Sequence, residues 1–367
     1  MKIALINNLY KPYQRGGAER IVEIMNIELT ALGHEVFIIS TRPTVQKTEE
    51  EKNVYYLPSA YSDLGKHSYL YRMAWQIINL FNYQKYREIS KIIKSENPDL
   101  VISHNLMGLG LLTPRAVSRQ AKYLHILHDI QLLHPSGLMY FAHENIIKSW
   151  GALFYQKICY YLFSLAKNKI IISPSSWLLS LHQQQGLFKD CPNFVVNNPV
   201  LISDVKENVT KEKIFCFVGQ LEQHKGVDLF IAAAPFFPEY KFILIGDGSL
   251  MEEIKKQKIN NLEILGKLSS QDVSKTIAKS SAIIVPSRCY ENSPTVIYEA
   301  YAVKTPAIAA NLAGIPELIT KFGGLLFEPD NLNSLKQTIS LFIENGASLK
   351  DVTLQASYSE RILEKIS

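Results

Sequence analysis

The sequence predicts an α/β protein with two Rossmann-like, doubly wound domains that face each other across a cleft. Short β-branched runs alternate with amphipathic stretches of helical length along the chain, a pattern typical of parallel sheets with helical crossovers. The alternation is interrupted where Asn197-Asn198-Pro199-Val200 precedes a charged stretch at residues 204–213. With 367 residues, 47% of them hydrophobic, the chain can bury two cores.

The first domain, residues 1–200, is predicted to carry five strands and at least three helices. The strands are the apolar runs Lys2–Asn7, Glu35–Ser40, Leu100–His104, Lys122–Leu127 and Lys169–Ser173. The helices are expected near Ala18–Leu32, Tyr69–Ser95 and His143–Ala166.

The second domain, residues 201–345, repeats this alternation. Its predicted strands are Ile214–Val218, Lys241–Ile245, Leu262–Leu265, Ala282–Val285, Ala307–Ala310 and Leu325–Phe327. A last segment, residues 346–367, is predicted to hold a helix from Leu349 to Ile366 that packs back on the first domain. Ligands of open α/β folds bind at the carboxyl ends of the strands, so the cleft is the expected ligand site.

Composition narrows the cellular setting. The four cysteines stand far apart without a CxxC pair, and no signal peptide precedes the first strand, so a cytoplasmic protein without a zinc site is expected. The most apolar stretch, Trp150–Ala166, is shorter than the roughly 20 residues that span a bilayer, and it carries a glutamine and a lysine. The net charge of +5 is concentrated in residues 1–200, which favours an anionic partner or reflects an ordinary solvated face.

Two motifs in the first domain carry candidate chemistry. Gly16-Gly17 opens a helix, where free amides and the helix dipole favour a phosphate, although a plain turn has the same sequence. His128-Asp129 ends a strand, so His128 can donate to a hydroxyl group or a developing charge, the alternative being a histidine of the core. His125 lies inside the strand and is assigned to structure. No acidic residue follows the second strand, which counts against a dinucleotide enzyme.

Two loops of the second domain also follow strands and precede helices. Gly219 to Lys225-Gly226 places a lysine where it can neutralise a diphosphate, although a surface lysine near a turn is common. Gly246-Asp247-Gly248 is a turn whose glycines are expected to serve backbone geometry first and to line a ligand site second.

The stretch from Glu291 to Glu299 is the most informative. Glu291 lies on a strand-end loop and Glu299 about two turns inside the following helix, which is expected to begin near Ser293-Pro294. Amides from Asn292 to Val296 at the helix start would hold a phosphate, and the two carboxylates would accept hydrogen bonds from sugar hydroxyls. A solvated helix face is the alternative, which the small apolar residues after Glu299 disfavour.

In order and spacing, these motifs resemble the retaining glycosyltransferases of family 4, which have the two-Rossmann GT-B fold. The resemblance extends over most of the chain and includes Gly314-Ile315-Pro316-Glu317. It implies that Lys225 binds the donor diphosphate, that Glu291 accepts from the transferred sugar and Glu299 from the nucleotide ribose, and that His128 faces the sugar near the reaction centre. His128, Lys225 and Glu291 are the implied catalytic residues. The implied donor site comprises Gly16, Gly17, Gly219, Gln220, Lys225, Gly246, Lys267, Glu291, Asn292, Ser293, Pro294, Thr295, Val296 and Glu299.

One position departs from the family pattern. Gln220 stands where the family has an arginine, so one bidentate phosphate clamp is missing. Arg288 or Arg15 takes its place, the donor is held less tightly, or catalysis is impaired.

The resemblance implies transfer from a UDP- or GDP-sugar with retention of configuration, in polysaccharide or glycoconjugate biosynthesis. No Asp-x-Asp element occurs, so neither metal nor cofactor is predicted. The expected acceptor is a glycan or a lipid-linked glycan, and nucleic acid is not an expected partner. Aromatic and basic residues within 55–86 and 150–161 are either core or a face that docks on an anionic membrane. Competing functions are a sugar-nucleotide epimerase, a dehydrogenase and a non-catalytic sugar-nucleotide-binding subunit.

Overall fold

The computed structural model describes residues 1–13, 16–44, 51–199, 209–352 and 357–366. The chain divides into two compact units. Unit 1 comprises residues 1–137, 145–198 and 355–367, and unit 2 comprises residues 138–144 and 199–354.

The described residues of unit 1 form a seven-stranded parallel sheet in the order β3-β2-β1-β4-β5-β6-β7. The strands are β1 Lys2–Ile6, β2 Glu35–Arg42, β3 Val54–Pro58, β4 Leu100–Ser103, β5 Lys122–Ile126, β6 Lys169–Ser173 and β7 Asn193–Val195. The helices are α1 Gly17–Ala31, α2 Tyr69–Leu80, α3 Tyr83–Glu96, α4 Thr113–Val117, α5 Trp150–Ser164 and α6 Ser176–Gln184, with α13 Tyr358–Glu364 near the end of the chain.

The central strands of unit 1 are buried on both faces. Ile3, Leu5, Val101 and Ile102 have no exposed surface, which explains why these strands are continuous apolar runs. The helix α13 packs against α1, and the Glu28 carboxylate accepts hydrogen bonds at 2.8 Å from the amide and the hydroxyl of Ser359.

Unit 2 contains a six-stranded parallel sheet in its described residues, in the order β10-β9-β8-β11-β12-β13. The strands are β8 Glu212–Val218, β9 Lys241–Ile245, β10 Leu262–Gly266, β11 Ser280–Val285, β12 Ala307–Ala310 and β13 Leu325–Phe327. The helices are α7 Val227–Ala233, α8 Met251–Ile254, α9 Ser270–Lys279, α10 Thr295–Ala302, α11 Ile315–Phe322 and α12 Leu332–Asn345. Renumbered from its first strand, this order is the Rossmann order 3-2-1-4-5-6, and unit 1 follows the same order with one further strand.

The prediction of two Rossmann-like parallel-sheet domains is confirmed, and all eleven predicted strands are present with small shifts at their ends. Three helix predictions were wrong in extent. The predicted helix Tyr69–Ser95 is two helices, because the Asn82 side chain accepts from the Lys85 amide and caps α3. The predicted helix from His143 becomes α-helical only at Trp150, where Ser149 is the cap. Within the described part of the predicted helix Leu349–Ile366, the α-helix covers Tyr358–Glu364, whereas Leu349 forms a β-bridge with Gly323.

Among the described residues, no helix is both long enough and apolar enough to span a bilayer.

Candidate active site

The predicted diphosphate-binding residues of unit 2 follow two strands at the centre of its sheet. Lys225 lies in the loop after β8 and Glu291 in the loop after β11, and these strands are hydrogen-bonded neighbours. The strand order reverses between them, because the chain continues from β8 to β9 on one side and from β11 to β12 on the other. Open α/β sheets bind ligands beyond the carboxyl ends of the strands at such a switch point. A ligand of unit 2 is therefore expected at this position.

Lys225 and Glu291 form an ion pair in this position. Nζ of Lys225 lies 2.6 Å from Oε1 of Glu291, and the Ser287 hydroxyl donates to the same oxygen at 2.9 Å. The side chains are 26% and 16% exposed, respectively. Burial lowers the pKa of Lys225, but the nearby Glu291 carboxylate raises it, and the net direction is upward. Burial raises the pKa of Glu291, whereas the ammonium and the hydrogen bonds lower it, and the net direction is downward. Both groups are therefore charged at neutral pH.

A glycine lets the two loops approach each other. Gly226 has φ +69°, and a Cβ atom there would lie 1.9 Å from the carbonyl oxygen of Pro286. Only glycine fits this contact, which holds the Lys225 loop against the loop that leads to Glu291. The turn at Gly246 is packed in a similar way, since a Cβ atom there would lie 1.8 Å from the carbonyl oxygen of Gly219. These glycines serve close backbone packing.

The helix after Glu291 begins at Thr295, with Pro294 at its N-cap. Ser293 is buried, and its hydroxyl is hydrogen-bonded to Oη of Tyr298 at 2.7 Å. The backbone carbonyl of Glu291 accepts from the amide of Gly314 at 3.0 Å, so the predicted motif at 314–317 supports the Glu291 loop.

The other predicted donor residues of unit 2 lie in several environments. Asn292, Thr295, Val296 and Glu299 are partly exposed, with Glu299 inside α10. Lys267 is exposed in the loop after β10, which lies two strands away from β8. Within the predicted donor set, Lys225 and Glu291 are two members whose side chains contact each other directly.

Arg288 does not take the place of the missing arginine. Its guanidinium is held by two carboxylates, with Nη1 2.6 Å from Asp228 and Nε 2.5 Å from Asp330. Gln220 is exposed near the start of the loop after β8. Arg15, the other candidate, lies outside the described residues.

A segment at residues 138–144 supports the Glu291 loop within unit 2. The amide of Tyr290 donates to the backbone carbonyl of Met139 at 2.9 Å, and the amide of Phe141 donates to the backbone carbonyl of Arg288 at 2.8 Å. The Tyr290 hydroxyl donates to Glu144 at 2.6 Å. The loop before Glu291 is thus paired with a segment that lies about 150 residues earlier in the chain.

In unit 1, the predicted phosphate-binding turn already holds a carboxylate. Gly17 begins α1, and the amide of Gly16 donates to Oε2 of Glu19 at 2.8 Å. Glu19 is buried in the first turn of the helix, where the helix dipole favours a negative charge. The roles of Gly16 and Gly17 as donor contacts remain predictions.

His128 lies at the end of β5, as predicted, and it has a partner that the sequence did not reveal. Its Nε2 atom lies 2.7 Å from Nδ1 of His104, which follows the neighbouring strand β4 and is fully buried. Burial lowers the pKa of His128 to about 4 and that of His104 well below its ordinary value. Burial also raises the pKa of Asp129 to about 7. His125 is buried inside β5 and is hydrogen-bonded to Ser103, which agrees with its structural assignment.

Sequence reasoning assigned no site role to His104, Ser287 or the segment 138–144. His104 carried a usable signal, because it and His128 both follow apolar strands that the sequence already predicted. The segment 138–144 carried none, since its pairing with residues 288–290 is set by tertiary structure.

Among the described residues, no group of three or more His, Cys, Asp or Glu side chains is arranged to hold a metal ion.

Comparison with known proteins identifies the family. Residues 15–202 match the family described as Glycosyltransferase Family 4, and residues 201–359 match Glycosyl transferases group 1. The protein belongs to Glycosyltransferase Family 4, and it is a transferase enzyme.

Individual relatives agree with this assignment. The chain is 27% identical to an uncharacterised 42.6 kDa protein of the cps region of Klebsiella pneumoniae, over 90% of each chain. It is also 27% identical to the UDP-Gal:alpha-D-GlcNAc-diphosphoundecaprenol alpha-1,3-galactosyltransferase of Escherichia coli, over 36% of this chain and 38% of that one. The fold resembles that of Anabaena HepE in complex with UDP, with a TM-score of 0.67, 18% identity and coverage of 94% and 90% of the two chains. The predicted GT-B fold is confirmed.

Proposed function

We propose that the protein transfers a sugar from a nucleoside diphosphate sugar, with retention of configuration and without a metal ion. The observation that carries the proposal is the Lys225–Glu291 pair at the switch point of unit 2. The ammonium of Lys225 and the carboxylate of Glu291 lie side by side, and in this proposal they bind the diphosphate and the sugar hydroxyls, respectively.

Lys225 acts on the leaving group in this proposal. Its pKa is raised by Glu291, so the ammonium is present at any physiological pH and can neutralise charge that develops on the departing diphosphate. Glu291 accepts hydrogen bonds from the transferred sugar, and Ser287 holds the carboxylate in place. No carboxylate nucleophile is required, because the acceptor attacks on the face that the diphosphate leaves and a donor phosphate oxygen takes its proton.

UDP is the first donor nucleotide to test. The Escherichia coli relative is named for a UDP-sugar, and HepE was crystallised with UDP. Thermal-shift screening against UDP, GDP, ADP and CMP identifies the nucleotide, since a ligand of the folded state raises its melting temperature. Transfer is then measured with the matching sugar nucleotides in the presence of EDTA, and the product anomer is read by NMR. An inverted product or complete loss of transfer in EDTA would contradict the proposal.

We further propose that unit 1 contacts an anionic membrane that carries a lipid-linked acceptor. The helix α2 exposes an apolar stripe of Leu70, Met73, Ile77 and Ile78, with Leu70 77% exposed. Its opposite face is turned inward, where the side chain of Asn79 is buried and accepts from the amide of Gly108. A helix with an apolar face outward and a polar residue inward is unusual for a surface in contact with water alone.

A second exposed stripe lies on α5. Trp150 is 85% exposed, and Phe154, Tyr160 and Tyr161 follow on the same side with Lys157 among them. Aromatic rings with polar tips and long basic side chains suit the headgroup level of a bilayer. The excess of positive charge in residues 1–200 would add attraction to anionic lipids.

Vesicle flotation tests the membrane proposal. The double variant Ile77→Glu/Ile78→Glu should lose binding to anionic vesicles, whereas Ile27→Glu should keep it, because Ile27 is a 60% exposed isoleucine on α1 outside the stripe. Equal binding by both variants, or no binding by the wild type at low salt, would contradict this proposal.

The departure at Gln220 favours one alternative, a subunit that binds the sugar nucleotide without turning it over. Detection of sugar transfer, even to water, excludes that alternative.

A further inference from the structure

His104 and His128 are joined through one nitrogen of each ring. Nδ1 of His104 lies 2.7 Å from Nε2 of His128, and the rings are stacked with centroids 5.0 Å apart. Among the described residues, this is the only hydrogen bond of His128, and Nε2 of His104 is buried without a partner. His104 is 0% exposed, so bulk water does not solvate that atom.

Proton counting couples the tautomers of the two rings. A neutral imidazole carries one N–H and one lone pair, so the bond between the rings has one donor and one acceptor. If Nδ1 of His104 donates, Nε2 of His128 accepts, and the proton of His128 lies on its Nδ1. If Nε2 of His128 donates instead, Nδ1 of His128 is a bare acceptor. The tautomer of the buried ring therefore sets the hydrogen-bonding character of the other ring.

The two states differ in what is left at the buried Nε2 of His104. In the first state that atom is a bare acceptor, and in the second it is an N–H without a partner. Buried N–H groups without a partner are the rarer of the two in proteins, and each such group carries a desolvation cost. The first state is therefore the more stable.

We propose that His104 is a positioning residue that fixes His128 as a neutral hydrogen-bond donor through Nδ1. The inference rests on the proposed function only for the ligand that receives this hydrogen bond. A donor at this place suits a sugar hydroxyl or a charge that develops during transfer, and it excludes His128 as a general base.

Surrounding groups hold the pair neutral and fixed. His125 bonds through Nδ1 to Ser103, whose hydroxyl also bonds to Tyr123 at 2.7 Å, so this second buried histidine is engaged elsewhere. Asp129 accepts from the amide of Gln131 at 2.7 Å, and burial raises the pKa of Asp129 to about 7. No described salt bridge includes His104, His128 or Asp129, so an imidazolium ion has no charged partner there.

Nitrogen-15 NMR of histidine-labelled protein at pH 7.5 tests the assignment, because protonated and bare ring nitrogens differ in chemical shift. The His128→Gln variant identifies the His128 signals. We expect a protonated Nδ1 and a bare Nε2 on His128 in the wild type. The variant His104→Asn places an amide where Nδ1 of His104 lies, so it should keep this pattern, whereas His104→Leu should release His128 to the other tautomer.

A matched control is available at His182. This histidine is also fully buried, and its Nε2 has no partner among the described residues, but its Nδ1 is hydrogen-bonded to the backbone carbonyl of Leu178 in α6. The variant His182→Leu removes a buried histidine and should leave the His128 tautomer unchanged. If His104→Leu does not fold, the wild-type and His104→Asn spectra still test whether Nδ1 of His128 is protonated.

Turnover gives a second measurement. With an active donor, His104→Leu should lower kcat about tenfold or more with little change in KM, and His104→Asn should restore most of it. A bare Nδ1 on wild-type His128, or an unchanged His128 tautomer in His104→Leu, would overturn the inference. Failure of the proposed function would appear separately, as absence of transfer in the wild type with the NMR pattern intact.

Discussion

Removing either member of the Lys225–Glu291 pair should change the affinity for the free nucleoside diphosphate in different ways. Lys225→Met removes the cation, so affinity for the free nucleoside diphosphate should fall by about 10- to 150-fold, the equivalent of one charge-assisted hydrogen bond of about 1.5–3 kcal/mol. Glu291→Gln removes the carboxylate 2.6 Å from Nζ and frees the ammonium, so affinity for the same diphosphate should stay equal or rise. With the sugar nucleotide as substrate, both variants should lower kcat/KM, because Glu291→Gln loses the contact to sugar hydroxyls.

The magnitude for stability follows from the burial of the pair. The side chains of Lys225 and Glu291 are 26% and 16% exposed, so their contribution to stability should be intermediate between two cases. An exposed ion pair contributes less than about 1 kcal/mol, whereas loss of one partner from a fully buried pair costs about 3–5 kcal/mol. Each variant should therefore lose about 1–3 kcal/mol in the free energy of unfolding, and the double variant should lose less than the sum. Urea denaturation measures this quantity, and calorimetric titration measures the affinity.

The control is Lys241→Met in the same unit. Lys241 lies 2.7 Å from Glu263, but these side chains are 56% and 42% exposed and lie away from the loops of the site. This variant should change neither affinity nor turnover. The reasoning is refuted if Glu291→Gln weakens binding of the free diphosphate as much as Lys225→Met does.

Gln220, Gly226 and the buried histidines offer further tests. Gln220→Arg should raise the affinity for the nucleoside diphosphate about tenfold or more in calorimetry, because Arg288 is already held by two carboxylates and does not supply the phosphate clamp; an unchanged affinity would contradict this prediction. Gly226→Ala should lower stability and donor affinity far more than Gly346→Ala, since both have φ +69° but a Cβ atom meets a neighbour only at Gly226; equal losses in denaturation would contradict this. The free energy of unfolding should fall as pH drops from about 6.5 toward 4, because His125, His128 and His182 have folded pKa values of about 3, 4 and 4 and bind their protons mainly after unfolding. Asp129, with a raised pKa of about 7, binds a proton in the folded state and offsets one of these, and His182→Leu should reduce the slope by up to about 1.4 kcal/mol per pH unit in urea denaturation at several pH values.

The strands could be predicted because parallel strands buried on both faces are continuous apolar runs. The two strands that the prediction missed lie at the edges of the sheet of unit 1, β3 at one edge and β7 at the other. Edge strands are half exposed and short, so their composition does not separate them from loops. The break between α2 and α3 was missed because Asn82 ends the periodicity through a side-chain cap rather than through glycine or proline.

The members of the site could be predicted, but most of their partners could not. Lys225 and Glu291 are 66 residues apart, and only the strand order places their loops side by side. Arg288 was a reasonable substitute for the missing arginine until its two carboxylates, 60 residues earlier and 42 residues later, became visible. The sequence does not show whether a charged residue near a ligand site is already paired with a residue from another part of the chain.

A common arrangement recurs in the two units, each considered alone. In unit 2, both predicted groups follow the strands beside the point where the order reverses, β8 and β11, and in unit 1 the predicted Gly16 turn follows such a strand, β1, whereas His128 follows β5, one strand beyond β4. In both, a group that would bind an anion already holds a carboxylate of the chain, since Gly16 donates to Glu19 and Lys225 to Glu291. A ligand must displace or share that carboxylate, which lowers the affinity for a weakly charged anion. Inorganic phosphate should therefore compete poorly with a nucleoside diphosphate, whose additional contacts and charge offset the cost. In unit 2, Glu291→Gln should reduce the difference in affinity between inorganic phosphate and the nucleoside diphosphate, because the competing carboxylate is removed while the Lys225 ammonium remains.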